Sequence, residues 1–255
     1  METTNKLILM ALLAATFAAC KKDDDAPTDD GHDHGTVSGN LSLEFRFMEG
    51  GNTWTLDSTL TDSLGHAVKV DVARFFVSGL HAEDDGGNLV GDWDDTYLLI
   101  EGTSPSQVFA LGTIAGAHIH QFHFNLGLDS ATNHADPTLA EAPLNDATMH
   151  WNWSPAAGYK FVVLEGRVDD DGDGVVDAGD PEFMYHCATD ALLTEGHAHQ
   201  HFDVVSGGNA VGVALVDMGQ VFAGIDVLAT PDGMGGTPVN QRLMSNLAGA
   251  IDGEE

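Results

Sequence analysis

Cysteine is almost missing: the chain holds 2 in 255 residues, Cys20 and Cys187. Cys20 closes a leader-like segment, so no disulfide can form within the remainder and the fold must rest on its core and on any bound metal. Basic residues are nearly as scarce, with 9 Lys+Arg against 40 Asp+Glu and a formal net charge of −31. That balance argues against nucleic acid or an anionic membrane surface as partner and suits the binding of cations. Long hydrophobic runs are confined to Leu7–Ala19, too short to span a bilayer. No G-x-S-x-G is present and no Gly-rich loop opens a helix, which removes the common signatures of serine hydrolases and nucleotide binding. Acidic pairs are plentiful, yet no aromatic-rich cleft signature marks a glycosidase.

The run Leu7–Ala19 after Lys6 fits the apolar region of a secretory signal. Phe17-Ala18-Ala19-Cys20 resembles a bacterial lipobox, so residues 1–19 are expected to be a lipoprotein signal peptide and Cys20 the acylated N-terminus. Several acyl chains anchor stably, at about 0.8 kcal/mol per buried CH₂. Lys21-Lys22-Asp23-Asp24-Asp25 resembles the surface-export signal of Bacteroidetes lipoproteins, which implies the outer membrane and its outer face. Residues 20–39 read as an acidic flexible tether, in which His32 and His34 are solvated.

Period-two runs bounded by Gly, Asp and Asn recur from Leu41 onward. They cover Leu41–Met48, Val68–Leu80, Thr96–Ile100, His118–Leu126, Tyr159–Val168, Phe183–Ala188, His197–Val205 and Ala210–Val216. So many short strands predict an all-β antiparallel sandwich over residues 40–255. Helical period is weak except at Val239–Ile251, a short C-terminal helix, and Asp217–Gly224 is a candidate helical turn.

Two clusters point to metal. Asp169, Asp171, Asp173, Asp177 and Asp180 fall at positions 1, 3, 5, 9 and 12 of an EF-hand-type loop, with Gly174 at the sharp turn and the Val175 carbonyl at position 7. Such close carboxylates repel without a cation, so a calcium-loop insertion is expected as a structural brace. The 13 histidines are the second signal. His118 and His120 share one face of a strand, with His123 expected on the other, and His197, His199 and His201 share a face. Pairing of the two strands would gather those imidazoles into a patch suited to copper, zinc or nickel. Cys187 reads either as a buried apolar thiol or as a soft ligand beside His186.

A third signal is a stretch with unusual chemistry, residues 133–166: N-H-A-D-P, P-L-N, M-x-W-x-W and G-Y-K-F in succession, followed by F-x-Y-H at Phe183–His186. This pattern resembles the copper-binding MbnP-like family, associated with methanobactin, over roughly residues 40–225. In that family a tryptophan is oxidised to kynurenine by a partner di-haem, MauG-like (cytochrome c peroxidase-like) enzyme, and the new aniline-type nitrogen binds copper beside histidines. The resemblance implies a copper site from His134, His186, Trp151 and Trp153, with either Trp open to modification. His150 stands where the family often has an aromatic residue, so its part is less direct. Many members also carry four cysteines that this chain lacks.

The expectation is therefore a lipid-anchored, extracytoplasmic copper-binding protein, a binder and not an enzyme, with calcium as a second ion. Alternatives from the same residues are a zinc- or nickel-binding surface lipoprotein using the histidine patch, a cupin-like metalloenzyme on H-x-H strands, and a calcium-braced adhesion module.

Overall fold

A computed structural model describes residues 38–151 and 157–254. Cys20, the export signal, His32, His34 and Trp153 lie outside the described residues. Residues 36–255 form one compact unit. In chain order the strands are β1 (Ser38–Glu49), β2 (Asn52–Thr53), β3 (Thr59–Thr61), β4 (Ala67–Glu83), β5 (Leu89–Trp93), β6 (Leu98–Glu101), β7 (Ser106–Ala115) and β8 (Ala117–Leu126). After helix α1 (Ser130–Asn133) come β9 (Lys160–Val168), β10 (Glu182–Ala188), β11 (Thr194–Val204), β12 (Asn209–Asp217), β13 (Asp232–Gly235), helix α2 (Pro238–Gly249) and β14 (Ile251–Gly253). β1 begins at Ser38, so the last two residues of the expected tether already belong to the sheet.

One sheet runs β14-β12-β1-β2 with β7 also on β1; the other runs β11-β8-β4-β9-β10-β13 with β3, β5 and β6 along the long β4. The sandwich is all-β as expected, but its sheets are mixed: β1 pairs β12 in parallel, and β10 pairs β13 in parallel. Each parallel pair joins segments far apart in sequence, the separation that a crossover needs.

Alternation builds the core. Leu41, Leu43, Phe45 and Phe47 of β1 all point inward and are fully buried, while Ser42, Glu44 and Arg46 point out. Phe45 joins the two sheets, with its ring 6.4 Å from Phe75 and 6.2 Å from Phe124, both edge-on. On α2, Leu243, Met244 and Leu247 are buried and Pro238 starts the first turn. The helical turn expected near Asp217 is a 3₁₀ turn at Met218–Gln220, capped by the Asp217 carboxylate.

Candidate metal centre

The short motifs of residues 133–166 are partly scaffold. Asn133 is buried and accepts the Tyr159 amide at 2.8 Å, while its amide nitrogen donates to Asp190 at 2.6 Å. Gly158 lies against it at φ +73°, where a Cβ would come within 2.4 Å of Asn133 Oδ1. Asp136 caps the 3₁₀ turn Pro137–Leu139 by accepting the Thr138 amide. The Tyr159 hydroxyl donates to the Leu144 carbonyl at 2.8 Å. These bonds tie the N-H-A-D-P, P-L-N and G-Y-K-F segments together.

Of the residues expected to hold copper, the fold brings Trp151 and His186 together, with ring centroids 5.5 Å apart and planes at 56°. His186 is buried on β10. Its Nε2 lies 2.6 Å from Glu165 Oε1 on β9, and its Nδ1 is buried with no hydrogen-bond partner among the described residues. Burial pushes the His186 pKa below the ordinary imidazole value, Glu165 opposing and Lys160 adding to the fall. The ring is thus neutral, with its proton held on the Glu165 side and a lone pair at Nδ1. Lys160 sits over the Trp151 ring at 5.3 Å from its centroid.

His150 takes the opposite side of the chain from Trp151. Its ring meets Tyr159 edge-on at 4.9 Å, its Nε2 is buried without a partner among the described residues, and burial lowers its pKa. His134 caps α1 and lies half-exposed with Nε2 3.2 Å from Asp190 Oδ1. Cys187 is fully buried, its thiol pushed up by burial and directed at the Asn240 carbonyl 3.8 Å away, which makes it the apolar thiol of the two readings.

One residue escaped the sequence reading. The parallel pairing of β13 sets Met234 directly across from His186, and Met234 and Trp151 line the same cavity of about 480 Å³. A thioether is a soft ligand suited to copper(I). Nothing in the short D-G-M-G run signals a strand, still less its partner.

The histidine strands do pair. β8 and β11 run antiparallel, and ring contacts link His197 to His199 at 5.0 Å, His199 to His120 at 6.2 Å, His120 to His201 at 5.0 Å and His201 to His118 at 5.9 Å. His118 bonds Asp203 at 2.8 Å, and its pKa is raised chiefly by that bond, with Asp85 adding. Asp85, His118 and His201 offer ligand atoms within 4.8 Å of one another. His123 corrects the expectation: it shares the outer face with His118 and His120. The register between β8 and β11 shifts between His199 and Phe202, so strict alternation breaks at His120–Gln121 and His123 becomes the direct partner of His197.

The acidic loop is organised as an ion loop would be. Asp169, Asp171 and Asp173 bring carboxylate oxygens within 4.8 Å of one another. The Gly174 and Gly172 amides hold the Asp169 carboxyl below the usual range, and both glycines have positive φ. The Asp173 amide pulls the Asp171 carboxyl down, but the charges of Asp173, Asp169 and Asp180 push it above the usual range. Asp180 accepts the Asp177 amide at 2.6 Å, and Val175 is exposed.

Fold and site thus define an all-β, histidine-rich protein with several clusters of potential metal ligands. The chain belongs to the MbnP family, whose model matches residues 38–238. Among solved structures it is similar to MbnP from Methylosinus trichosporium at 19% identity, over 72% of this chain and 78% of that one, with a TM-score of 0.49. No curated protein sequence matches the chain.

Proposed function

We propose that this protein captures or stores copper outside the cytoplasm, as a binder with no turnover of its own. Family membership suggests a copper-related, methanobactin-associated role. The observation that carries the finer reading is His186. Its Nε2 is fixed by Glu165, its Nδ1 is buried without a partner among the described residues, and it stands beside Trp151 and across from Met234. Metal-bound histidines are commonly held this way, with the far nitrogen on a carboxylate that sets the tautomer. An orphaned buried nitrogen is costly unless something binds it, so these residues fit a copper ion. Bound copper would be held by His186, Met234 and a Trp151-derived kynurenine nitrogen; His134, against Asp190, and His150, against Tyr159, stand apart from that set.

On this reading the partner is a di-haem MauG-like enzyme that oxidises Trp151. The chain is anchored through acylated Cys20 at the outer membrane, and calcium at Asp169–Asp180 stiffens the loop after β9. The test is elemental analysis and peptide mass on protein purified from its native host. Near-stoichiometric copper with an oxidised tryptophan in the Trp151–Trp153 peptide is the expected result. Calcium alone with unmodified tryptophans overturns it.

The histidine face supports a second reading, a zinc- or nickel-binding surface. Its support is the run of ring contacts from His197 to His118 with Asp85 and Asp203 behind it. Unmodified tryptophans with zinc bound after native purification would favour it over the copper reading.

A further inference from the structure

A separate trio lies further along the same sheet, on residues that none of the readings above uses. His81 and Glu83 share the outer face of β4, and His123 stands on β8 as the direct cross-strand partner of His81. That register is not inherited from simple alternation. The β4–β8 ladder shifts between Ser78 and His81, and Gly79 sits at φ +56°, inside the irregular stretch. Bulges of this kind re-aim side chains and cluster at functional sites. The positive φ favours glycine at this position, and a Cβ there would displace the Asn125 amide, whose Nδ2 would lie 2.6 Å from it.

The result is a convergence of ligand atoms. His81, Glu83 and His123 bring theirs within 4.8 Å of one another. Glu83 spans both rings, with Oε1 3.8 Å from His81 Nε2 and Oε2 3.2 Å from His123 Nε2. Nδ1 of His81 faces the Gly79 carbonyl at 3.4 Å, which leaves the lone pair on Nε2, the nitrogen that faces Glu83. The two rings are stacked, with centroids 4.8 Å apart and planes 8° apart. All three side chains are about one-third exposed, so an ion has access and a ring can tilt to bring its nitrogen into line. His81 and His123 also line a cleft of about 210 Å³, into which Asn125 and Glu195 face. An ion held by the trio would therefore keep coordination positions open to water within that cleft.

We infer that His81, Glu83 and His123 form a binding site for a borderline divalent transition metal of the zinc class. Two imidazole nitrogens and one carboxylate oxygen form the three-ligand set of open zinc sites, with bonds of about 2.0–2.2 Å. The absence of any thiolate or thioether from the trio disfavours copper(I). This site is independent of the copper reading, because it shares no residue with the His186 centre.

The test is a zinc titration by calorimetry of the metal-free protein and of four variants. His81→Asn/His123→Asn removes the proposed site, His118→Asn/His201→Asn removes the neighbouring cluster, and Glu83→Gln keeps the fold while removing the carboxylate. Far-ultraviolet circular dichroism verifies that each is folded. The first variant should lose one zinc equivalent, the second should retain it, and Glu83→Gln should weaken it by more than about a hundredfold, beyond the range for an outer-shell partner, because Glu83 is itself a ligand. A His186→Ala protein should keep this equivalent whatever happens to copper. Unchanged zinc stoichiometry and affinity in His81→Asn/His123→Asn overturns the inference, as does loss of the same equivalent in His118→Asn/His201→Asn.

Discussion

Glu165→Gln isolates the contact on which the copper reading stands. The carboxylate lies 2.6 Å from His186 Nε2, a short charge-assisted bond, and its side chain is 35% exposed. Glutamine keeps the size and loses the charge. A carboxylate partner behind a metal-bound histidine contributes about 10- to 100-fold in metal affinity, or about 1.4–2.7 kcal/mol. Water reaches Glu165, so solvent takes over part of the bond in the variant and the lower figure, about tenfold, is the expected loss. The assay is competition for copper(I) against a chromophoric chelator, run from pH 8 down to pH 5.

The pH profile carries the sharper information. Burial lowers the His186 pKa, and Glu165 opposes that fall. Copper binding in the parent should therefore persist as pH drops through the ordinary imidazole value of about 6.5, failing only when His186 itself protonates. Removing Glu165 removes the opposing influence, so the pKa falls further and the acid limb of the profile moves to lower pH. The variant should thus bind about tenfold more weakly at pH 7.5, with its acid limb displaced downward. A ligand site that did not include His186 would show neither change. Affinity within a factor of about two of the parent at pH 7.5, with an unmoved acid limb, refutes the argument.

Met234→Leu keeps volume but removes the sulfur; it should weaken copper(I) and leave thermal stability nearly unchanged, because Met234 is exposed, which the same competition assay and a melting curve check. Calcium at about 100 times its Kd should stabilise the protein by about 2.7 kcal/mol in denaturant titrations, and Asp173→Asn should abolish that gain. Asp203→Asn should cost stability below pH 6.5 and little above pH 8, because a His118 pKa raised by Asp203 stabilises the protonated form and that contribution is lost as pH rises through the folded value; urea unfolding at pH 5.5 and 8 tests it. Burial raises the Asp146 carboxyl, but Arg74, the Thr148 hydroxyl and the Thr148 amide outweigh it and hold the value to about 2. Its contribution should be present at neutral pH and vanish as pH falls toward 2, and Asp146→Asn should cost about 1–2 kcal/mol at pH 7 after solvent screening.

The sequence exposed the fold wherever one face of a strand is apolar and the other polar. Leu41, Leu43, Phe45 and Phe47 alternate with polar partners, so β1 was plain; β4, β9, β10 and β12 were legible instead from short apolar runs buried on both faces, such as Phe161–Leu164. β7 was not, because most of its side chains are exposed or half-exposed and its residues carry no strong period. The parallel partners were hidden for another reason: pairing β13 to β10 is a long-range packing outcome, and the four residues Asp232–Gly235 encode it only through what surrounds them. Met234 therefore could not be linked to His186 from the chain alone.

The histidines show where counting by twos fails. Period-two reasoning sets His123 opposite His118 and His120, yet the β8–β11 register shift around His120 returns it to their face, and the β4–β8 shift beyond it selects its partner on β4. The first aligns His123 with His197, and the second aligns it with His81. A bulge leaves only faint traces in sequence, here Gly79 in the interior of a long strand. The same irregularities that hid the arrangement are what assemble imidazoles from β4, β8 and β11 into one continuous row. A regular ladder would have turned His123 away from that row, leaving His81 and Glu83 without their cross-strand imidazole. The bulges are thus the structural cause of the site, and straightening β4 by Gly79→Val should cost the His81–His123 contact before it costs the fold's core, which lies on the other face of the sheet.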